Sequence, residues 1–374
     1  MRLISLLNIT FYTKVRSRVV LEMPGKSEPN LFQAGVGKVV ITPPVGFVIG
    51  GPEHPERVST GIADDLLARV IVLKSQENRI AIISLDVWGL AKPVLDSIKL
   101  AITVSTHIPE DSIWLTVTGN GTTPPLWRDE PLYANYTTYL PEQVNGAVQA
   151  ALRSMEPASM GSTGILLPEV STFIDGPGLP GNPALFVVAI NRADGTGIAR
   201  LMNFACPATI TGPSTMWTAD YPGYACWALE QNGGGLSLFS QAPSHDIRPF
   251  DWWIQNTDPT HSARNPKDVH AFGLLLATQA DNAAAETVQR RNVEIAIRSD
   301  EATGIQVLHV GDAFFISTNR PQPNKFARRL RRHFPQSNTI VTANLSGGLF
   351  DAKATFDPRG IRRSIALLNE LGAT

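Results

Sequence analysis

From Phe32 to Leu371 strand-like and helix-like periodicities alternate, and no Ser/Gly/Pro-rich linker interrupts them. A chain patterned this way buries its strands by stacking helices on sheets, so residues 31–374 are expected to form a single α/β domain. Gly37–Thr42 is a strand-like run halted by Pro43-Pro44. Leu66–Leu73 and Arg79–Leu85 flank Ser75-Gln76-Glu77-Asn78 as the two arms of a hairpin. Val94, Leu95, Ile98, Ala101 and Ile102, and later Leu140, Val144, Val148, Ala151 and Leu152, recur at helical spacing. Further helices are expected near 220–230, 266–290, 323–334 and 359–371, and further strands at 113–118, 184–191, 199–205, 236–240, 293–297, 305–308, 313–318 and 339–343. Hairpins mixed with crossovers predict mixed β-sheets covered by helices rather than a purely doubly wound fold.

Composition narrows the function classes. Charged residues are 17% and apolar ones 43% of the 374, a balance that supplies a core and argues against disorder. Lys plus Arg number 32 against 33 acids, so no global field draws nucleic acid or an anionic membrane. The basic run Lys325–Phe334 places Phe326, Leu330 and Phe334 at i, i+4 and i+8, which reads as one buried stripe behind a solvated basic face. No apolar run approaches the roughly 20 residues that span a bilayer. Two cysteines, Cys206 and Cys226, exclude a disulfide framework and a four-cysteine zinc site. The seven histidines leave a metal site open by count, without His-x-His or His-x3-His spacing. Met1–Leu7 begins as a signal peptide does, but Asn8, Thr10 and Lys14 interrupt it. Residues 1–30 are therefore expected to be an N-terminal extension, with a cytoplasmic location and secretion as the alternative.

Several segments, in order, resemble the catalytic domain of the neutral, non-lysosomal ceramidases. They are Gln33–Gly46, Thr60–Arg69, Ser84–Leu90, Asn203–Thr209, Ala219–Tyr224, Leu238–Gln241 and Asp246–Pro249. The resemblance covers residues 32–374 and implies that domain's mixed α/β fold, without a counterpart of the family's smaller C-terminal β domain. It also implies hydrolysis of an N-acyl-sphingosine amide at one zinc held by two histidines, a glutamate and a tyrosine.

The ligand positions depart from that pattern. A Thr-His-Thr-His-Ser-Gly-Pro run is replaced by Thr118-Gly119-Asn120-Gly121-Thr122-Thr123-Pro124, and Ala-Cys-His-Pro by Ala205-Cys206-Pro207-Ala208. Asp312 stands where the glutamate would be, and Asn344–Leu349 holds no tyrosine. One carboxylate does not hold zinc alone, so no metal and no other cofactor is expected. Candidate catalytic residues are then His245 as acid or base, Asp246 beside it, and Arg248 as a bidentate anion clamp. Asp86, Asn120, Thr122, Cys206, Asp220, Tyr221 and Asp312 are expected to line the substrate pocket, where Asp220 could equally cap a helix. Cys206 could pair with His245 as a nucleophile or simply be packed. Trp252-Trp253 could wall the pocket.

Three functions follow. The first is a metal-free acid/base enzyme performing elimination, cyclisation or acyl transfer on a small molecule of a biosynthetic pathway. The second is a catalytically silent ligand-binding or partner subunit, in a homo- or hetero-oligomer with a homologous chain. The third is an amide hydrolase using an unrecognised metal or Cys206.

Overall fold

The computed structural model describes residues 32–51, 54–127, 133–167, 170–173, 176–180, 184–249, 266–300, 302–317, 322–335, 338–341 and 358–373. The N-terminal extension, Trp252-Trp253 and Asn344–Leu349 lie outside them.

The first sheet is built from β1 (Gln33–Val40), β2 (Leu67–Ser75), β3 (Asn78–Leu85) and, after helix α1 (Lys92–Thr106), β4 (Ile113–Val117). Helix α2 (Ala134–Arg153) follows. The strand order is β4-β3-β2-β1, with Glu156–Pro157 at the far edge. The β2–β3 hairpin and the β1–β2 pair are antiparallel, whereas β4 returns parallel to β3 after the α1 crossover. The second sheet repeats the plan. It comprises β5 (Ser159–Leu166), β6 (Ala184–Asn191), β7 (Gly197–Phe204) and, after α3 (Asp220–Gln231), β8 (Leu236–Gln241) parallel to β7. Helix α4 (Pro266–Ala285) then precedes a third sheet of β9 (Ile295–Asp300), β10 (Ile305–Val310), β11 (Ala313–Ser317) and β12 (Asn338–Val341). There too the last strand is parallel to its neighbour, after α5 (Asn324–His333), and α6 (Pro358–Glu370) follows.

Strand alternation dictates the layers. Val70, Val72, Ile83 and Leu85 face α1 and α2, where Ile98, Ile102, Leu140 and Val144 meet them. Their neighbours Ile71, Leu73, Ile80 and Ile82 point the other way, onto Val188, Ile190, Leu201 and Leu238 of the second sheet. The outer face of that sheet is covered by α3 and α4 through Tyr221, Leu229, Phe272 and Leu276. The result is a helix–sheet–sheet–helix stack. Leu308, Val310 and Phe315 of the third sheet join the same inter-sheet core, and α5 and α6 cover its other face.

The inter-sheet layer changes character along the strands. Its apolar part gives way to Arg69, Ser84, Asp86, Thr116, Thr118, Asn203 and Ser240, all buried. Ser84 Oγ donates to the Phe239 carbonyl at 2.5 Å, the hydroxyls of Thr116 and Ser240 are 2.9 Å apart, and Asn203 Nδ2 donates to the Ser240 carbonyl at 3.2 Å. The first two bonds tie the edge strand β8 onto the first sheet, and the third braces it against β7.

Mixed sheets under helices are what the patterning predicts, and the bounds differ where pairing overrides local signal. β1 starts at Gln33, since its whole length pairs with β2 from Gln33↔Lys74 to Val40↔Leu67. β5 has no clear sequence signal because Gly161 and Gly164 interrupt its apolar run; a Cβ on Gly161 would meet the Val288 carbonyl at 2.7 Å. Helix α4 ends at Ala285, short of 290, where Arg290 turns to bond the Met160 backbone.

Gly35 and Gly37 allow α2 to lie directly on β1. A Cβ at Gly37 would sit 2.1 Å from the Ala147 carbonyl oxygen, and one at Gly35 2.0 Å from that of Ala151. We expect Gly37→Ala to force the helix away and cost roughly 1–3 kcal/mol, as overpacking does. Chemical denaturation should show it as a lower midpoint; an unchanged midpoint would mean that α2 does not rest on this strand.

Candidate functional site

In open α/β sheets ligand crevices form at the carboxyl ends of parallel strands. Here the carboxyl ends of two parallel pairs meet. Asp86 and Thr118 follow β3 and β4, while Cys206 and Ala242 follow β7 and β8. Gly121 N donates to the Ala208 carbonyl at 3.2 Å, and Asn120 and Ala208 form an isolated parallel bridge. The loop after β8 then reaches the third unit: Asp246 Oδ1 accepts from Asn324 N, the first residue of α5, at 2.5 Å, and Asn324 Nδ2 donates to the Pro243 carbonyl at 3.2 Å. Three crossover units thus converge at one end of the fold, the mouth, defined by the carboxyl ends of these strands.

Beneath the mouth every candidate pocket residue at this end is buried. Asp86 Oδ2 accepts from Arg69 Nη1 at 2.6 Å and from Leu67 N at 2.9 Å. Burial raises the Asp86 carboxyl, with Arg69 and the Leu67 amide opposing it. Burial also pulls the Arg69 guanidinium down, but Asp86 overrides this and Arg69 stays protonated. Asn120 Nδ2 donates to the Thr218 carbonyl at 2.5 Å, and its Oδ1 accepts from Thr122 N and Oγ1 at 3.0 and 2.9 Å. The Thr122 hydroxyl also lies 2.9 Å from the Thr218 carbonyl.

Asp220 adopts φ +52°, a left-handed conformation that a non-glycine residue holds only under constraint. Its carboxylate accepts from Thr211 N at 2.8 Å and Tyr221 N at 2.7 Å. Tyr221 Oη donates to the Cys206 carbonyl at 2.6 Å. Both burial and Asp220 push the Cys206 thiol well up, so it is held protonated.

Around the rim, His245 and Asp246 are half-buried in the turn after β8. Arg248, also half-buried, sits in the short strand Ile247–Pro249, opposite Thr172. The three are near in sequence, and Asp246 is engaged by α5. Asp312 is elsewhere. It precedes β11, whereas α5 and the mouth lie beyond that strand's other end, and its Oδ1 accepts from Ser162 Oγ at 2.8 Å in mid-β5. The structure therefore does not bring Asp312 to the other candidates.

Several residues of this region escape sequence reasoning. Arg69 stood in an apolar strand run, where a charge needs a buried partner, and that was its only signal. Asp64 holds the loop below the mouth by accepting from Thr218 Oγ1 and Ala219 N, each at 2.6 Å. Gln241, whose Nε2 donates to Ser244 Oγ at 2.5 Å, packs against Gly119. Gly119 has φ +68°, and a Cβ there would lie 3.1–3.2 Å from Gln241 side-chain atoms.

That contact tests the zinc that the resemblance implies. A histidine at 119 would need both a strained backbone and displacement of Gln241, and Asn120 and Thr122 are turned toward the Thr218 carbonyl. Among the described residues no three His, Cys, Asp or Glu side chains are grouped to hold a metal ion. These residues do not fit the four-ligand site.

Solved structures share this architecture. A neutral ceramidase from Pseudomonas aeruginosa superposes with a TM-score of 0.71 at 14% identity, over 91% of this chain and 74% of that one. A ceramidase complexed with C2 gives 0.71 at 13% identity, over 92% and 76%. The fold is ceramidase-like. At such identity the likeness concerns the fold alone; no family model and no curated protein matches the sequence. Among the described residues no helix is long and apolar enough to cross a membrane.

Two outcomes follow from the buried groups. Arg69→Met leaves Asp86 buried without its cation and should cost about 3–5 kcal/mol at neutral pH, much of it recovered in Arg69→Met/Asp86→Leu. The lone carboxyl is then raised above its unfolded value, so the single variant regains stability as pH falls through that raised value; urea titrations at pH 5 and 8 would reveal the sign. Burial also pushes the Cys226 thiol up to about 12. Both cysteines should resist iodoacetamide at pH 8 in the folded protein and react once it is unfolded; rapid native alkylation of Cys206, seen by mass spectrometry, would restore it as a nucleophile.

Proposed function

We propose that the chain is a metal-independent, ligand-binding member of the ceramidase-like fold, catalytically silent toward amide bonds. The observation that carries this reading is Gln241, whose side chain lies against left-handed Gly119 where a ligand-bearing side chain would have to emerge. The buried polar groups around it support the same reading. Asp86, Asn120, Asp220 and Tyr221 all make hydrogen bonds that hold neighbouring loops in place. The ligand is a small molecule bound at the mouth around His245, and a homologous subunit is the natural partner of a silent chain.

A second reading is the metal-free acid/base enzyme, favoured by one observation. His245 stands half-buried in the turn after β8, next to Asp246, as an imidazole placed for acid/base work would. Cys206, buried with its thiol pushed up, gives no comparable support to a thiol hydrolase.

Purified protein should contain zinc far below one equivalent and release no fatty acid from an N-acyl-sphingosine. Stoichiometric zinc together with hydrolysis would overturn the proposal. Small molecules that raise the melting temperature should be recovered unchanged by mass spectrometry from the wild type and from His245→Ala alike. A compound converted by the wild type but not by the variant would establish the acid/base enzyme instead.

A further inference from the structure

We infer that Asn232 is a self-modifying site, where the exposed Asn232-Gly233 step closes to a succinimide and is reopened by water to aspartate or isoaspartate. The chain contains three Asn-Gly steps, at Asn120, Asn145 and Asn232, and a following glycine leaves the attacking amide unhindered because it has no Cβ. The structure separates the three. Asn120 is buried, with its Nδ2 donating to the Thr218 carbonyl and its Oδ1 accepting from Thr122 N. Asn145 lies inside α2, and its Oδ1 accepts from Ser105 Oγ at 2.6 Å. Asn232 and Gly233 are both exposed in the turn after α3, and no described residue hydrogen-bonds the Asn232 side chain. A Cβ on Gly233 would meet nothing within 4 Å, and the Gly233 amide holds only a 3.2 Å bond to the Glu230 carbonyl.

In the first step Gly233 N attacks Asn232 Cγ. The N–Cγ bond forms, the Cγ–Nδ2 bond breaks, and Nδ2 leaves as ammonia carrying the proton that Gly233 N gives up. One water then opens the ring on either side of that nitrogen: at Cγ it yields aspartate, at the Asn232 main-chain carbonyl isoaspartate. Ring closure requires rotation about the Asn232 Cα–C bond from its ψ of 8°, a freedom that a fraying helix end has and the interior of α2 lacks. The consequence reaches the mouth, because Gly233–Gly235 leads directly into β8. That turn lies flat on β7: a Cβ on Gly235 would sit 2.2 Å from the Ile198 carbonyl oxygen, and one on Gly197 2.4 Å from the Gly234 carbonyl carbon. Isoaspartate inserts one more carbon into the main chain there, and either product adds negative charge at the C-terminal end of α3, where the helix dipole opposes it. The inference concerns the chain's own chemistry and holds whether the mouth is silent or catalytic.

Peptide mapping by mass spectrometry of the full chain, aged at 37 °C at pH 6 and pH 8, tests it without any variant. Asn232 should lose its amide faster at pH 8, as attack by a deprotonated amide nitrogen requires. It should also react at least roughly tenfold faster than Asn120 or Asn145, since opening either of those sites costs more than about 1.4 kcal/mol. In urea the three rates should converge. An intact Asn232 in folded protein that reacts readily in urea, or equal rates at the three sites in the folded chain, would refute the site. Aged wild type should melt at a lower temperature than fresh protein while aged Asn232→Gln does not; an unchanged melting temperature in fully modified wild type would overturn the link to β8.

Discussion

The hydrogen bond from Ser84 across to the Phe239 carbonyl is the interaction on which the arrangement of the mouth depends. β8 is an edge strand, and an edge carbonyl removed from water needs a partner. Ser84, helped by the contact between Thr116 and Ser240 and by Asn203, supplies partners from the facing sheet and from β7. Apolar packing alone would hold the two sheets together but would not set their register along the strands. The polar bonds do so because they are directional. Once β8 is placed against β3 and β4, the loops that leave their carboxyl ends must meet, and Gln241 comes to rest on Gly119.

That placement explains the chemistry of the region. The ends of parallel strands expose backbone groups, and at a buried junction each needs a bond. Asn120, Thr122, Asp220 and Tyr221 provide them, which is why side chains of catalytic type are found here holding loops. The left-handed conformation of Asp220 is sustained by the two amide bonds to its carboxylate. Asp64, which accepts from Thr218 Oγ1 and Ala219 N, completes the support.

Much of the architecture is legible along the chain. The apolar runs of β2, β3, β6 and β7 and the helical stripes of α1 and α2 are strong because each has a layer packed on it. β5 is not legible, since its glycines answer to a backbone that approaches from elsewhere in the chain. The candidate site divides in the same way. Asp86, Cys206 and Tyr221 stand in recognisable strand-end and helix-start motifs, and they do gather at one end of the fold. Asp312 stands in such a motif as well, yet it precedes β11 and bonds Ser162 in mid-sheet. Which end of a strand a residue occupies is a property of chain direction in three dimensions, and a motif does not carry it.

By itself the sequence determined the element types, the mixed α/β class, the near-neutral charge and the absence of histidine at residues 119, 121 and 207. These are local properties: periodicity, composition and identity survive without knowledge of the neighbours. Only the tertiary structure decided that two sheets face each other, that Arg69 neutralises Asp86, that Gln241 lies against Gly119 and that Asp246 holds the first turn of α5. Each of those contacts joins residues between 17 and 122 positions apart, and their partners are chosen by the packing of layers rather than by anything in the adjoining sequence.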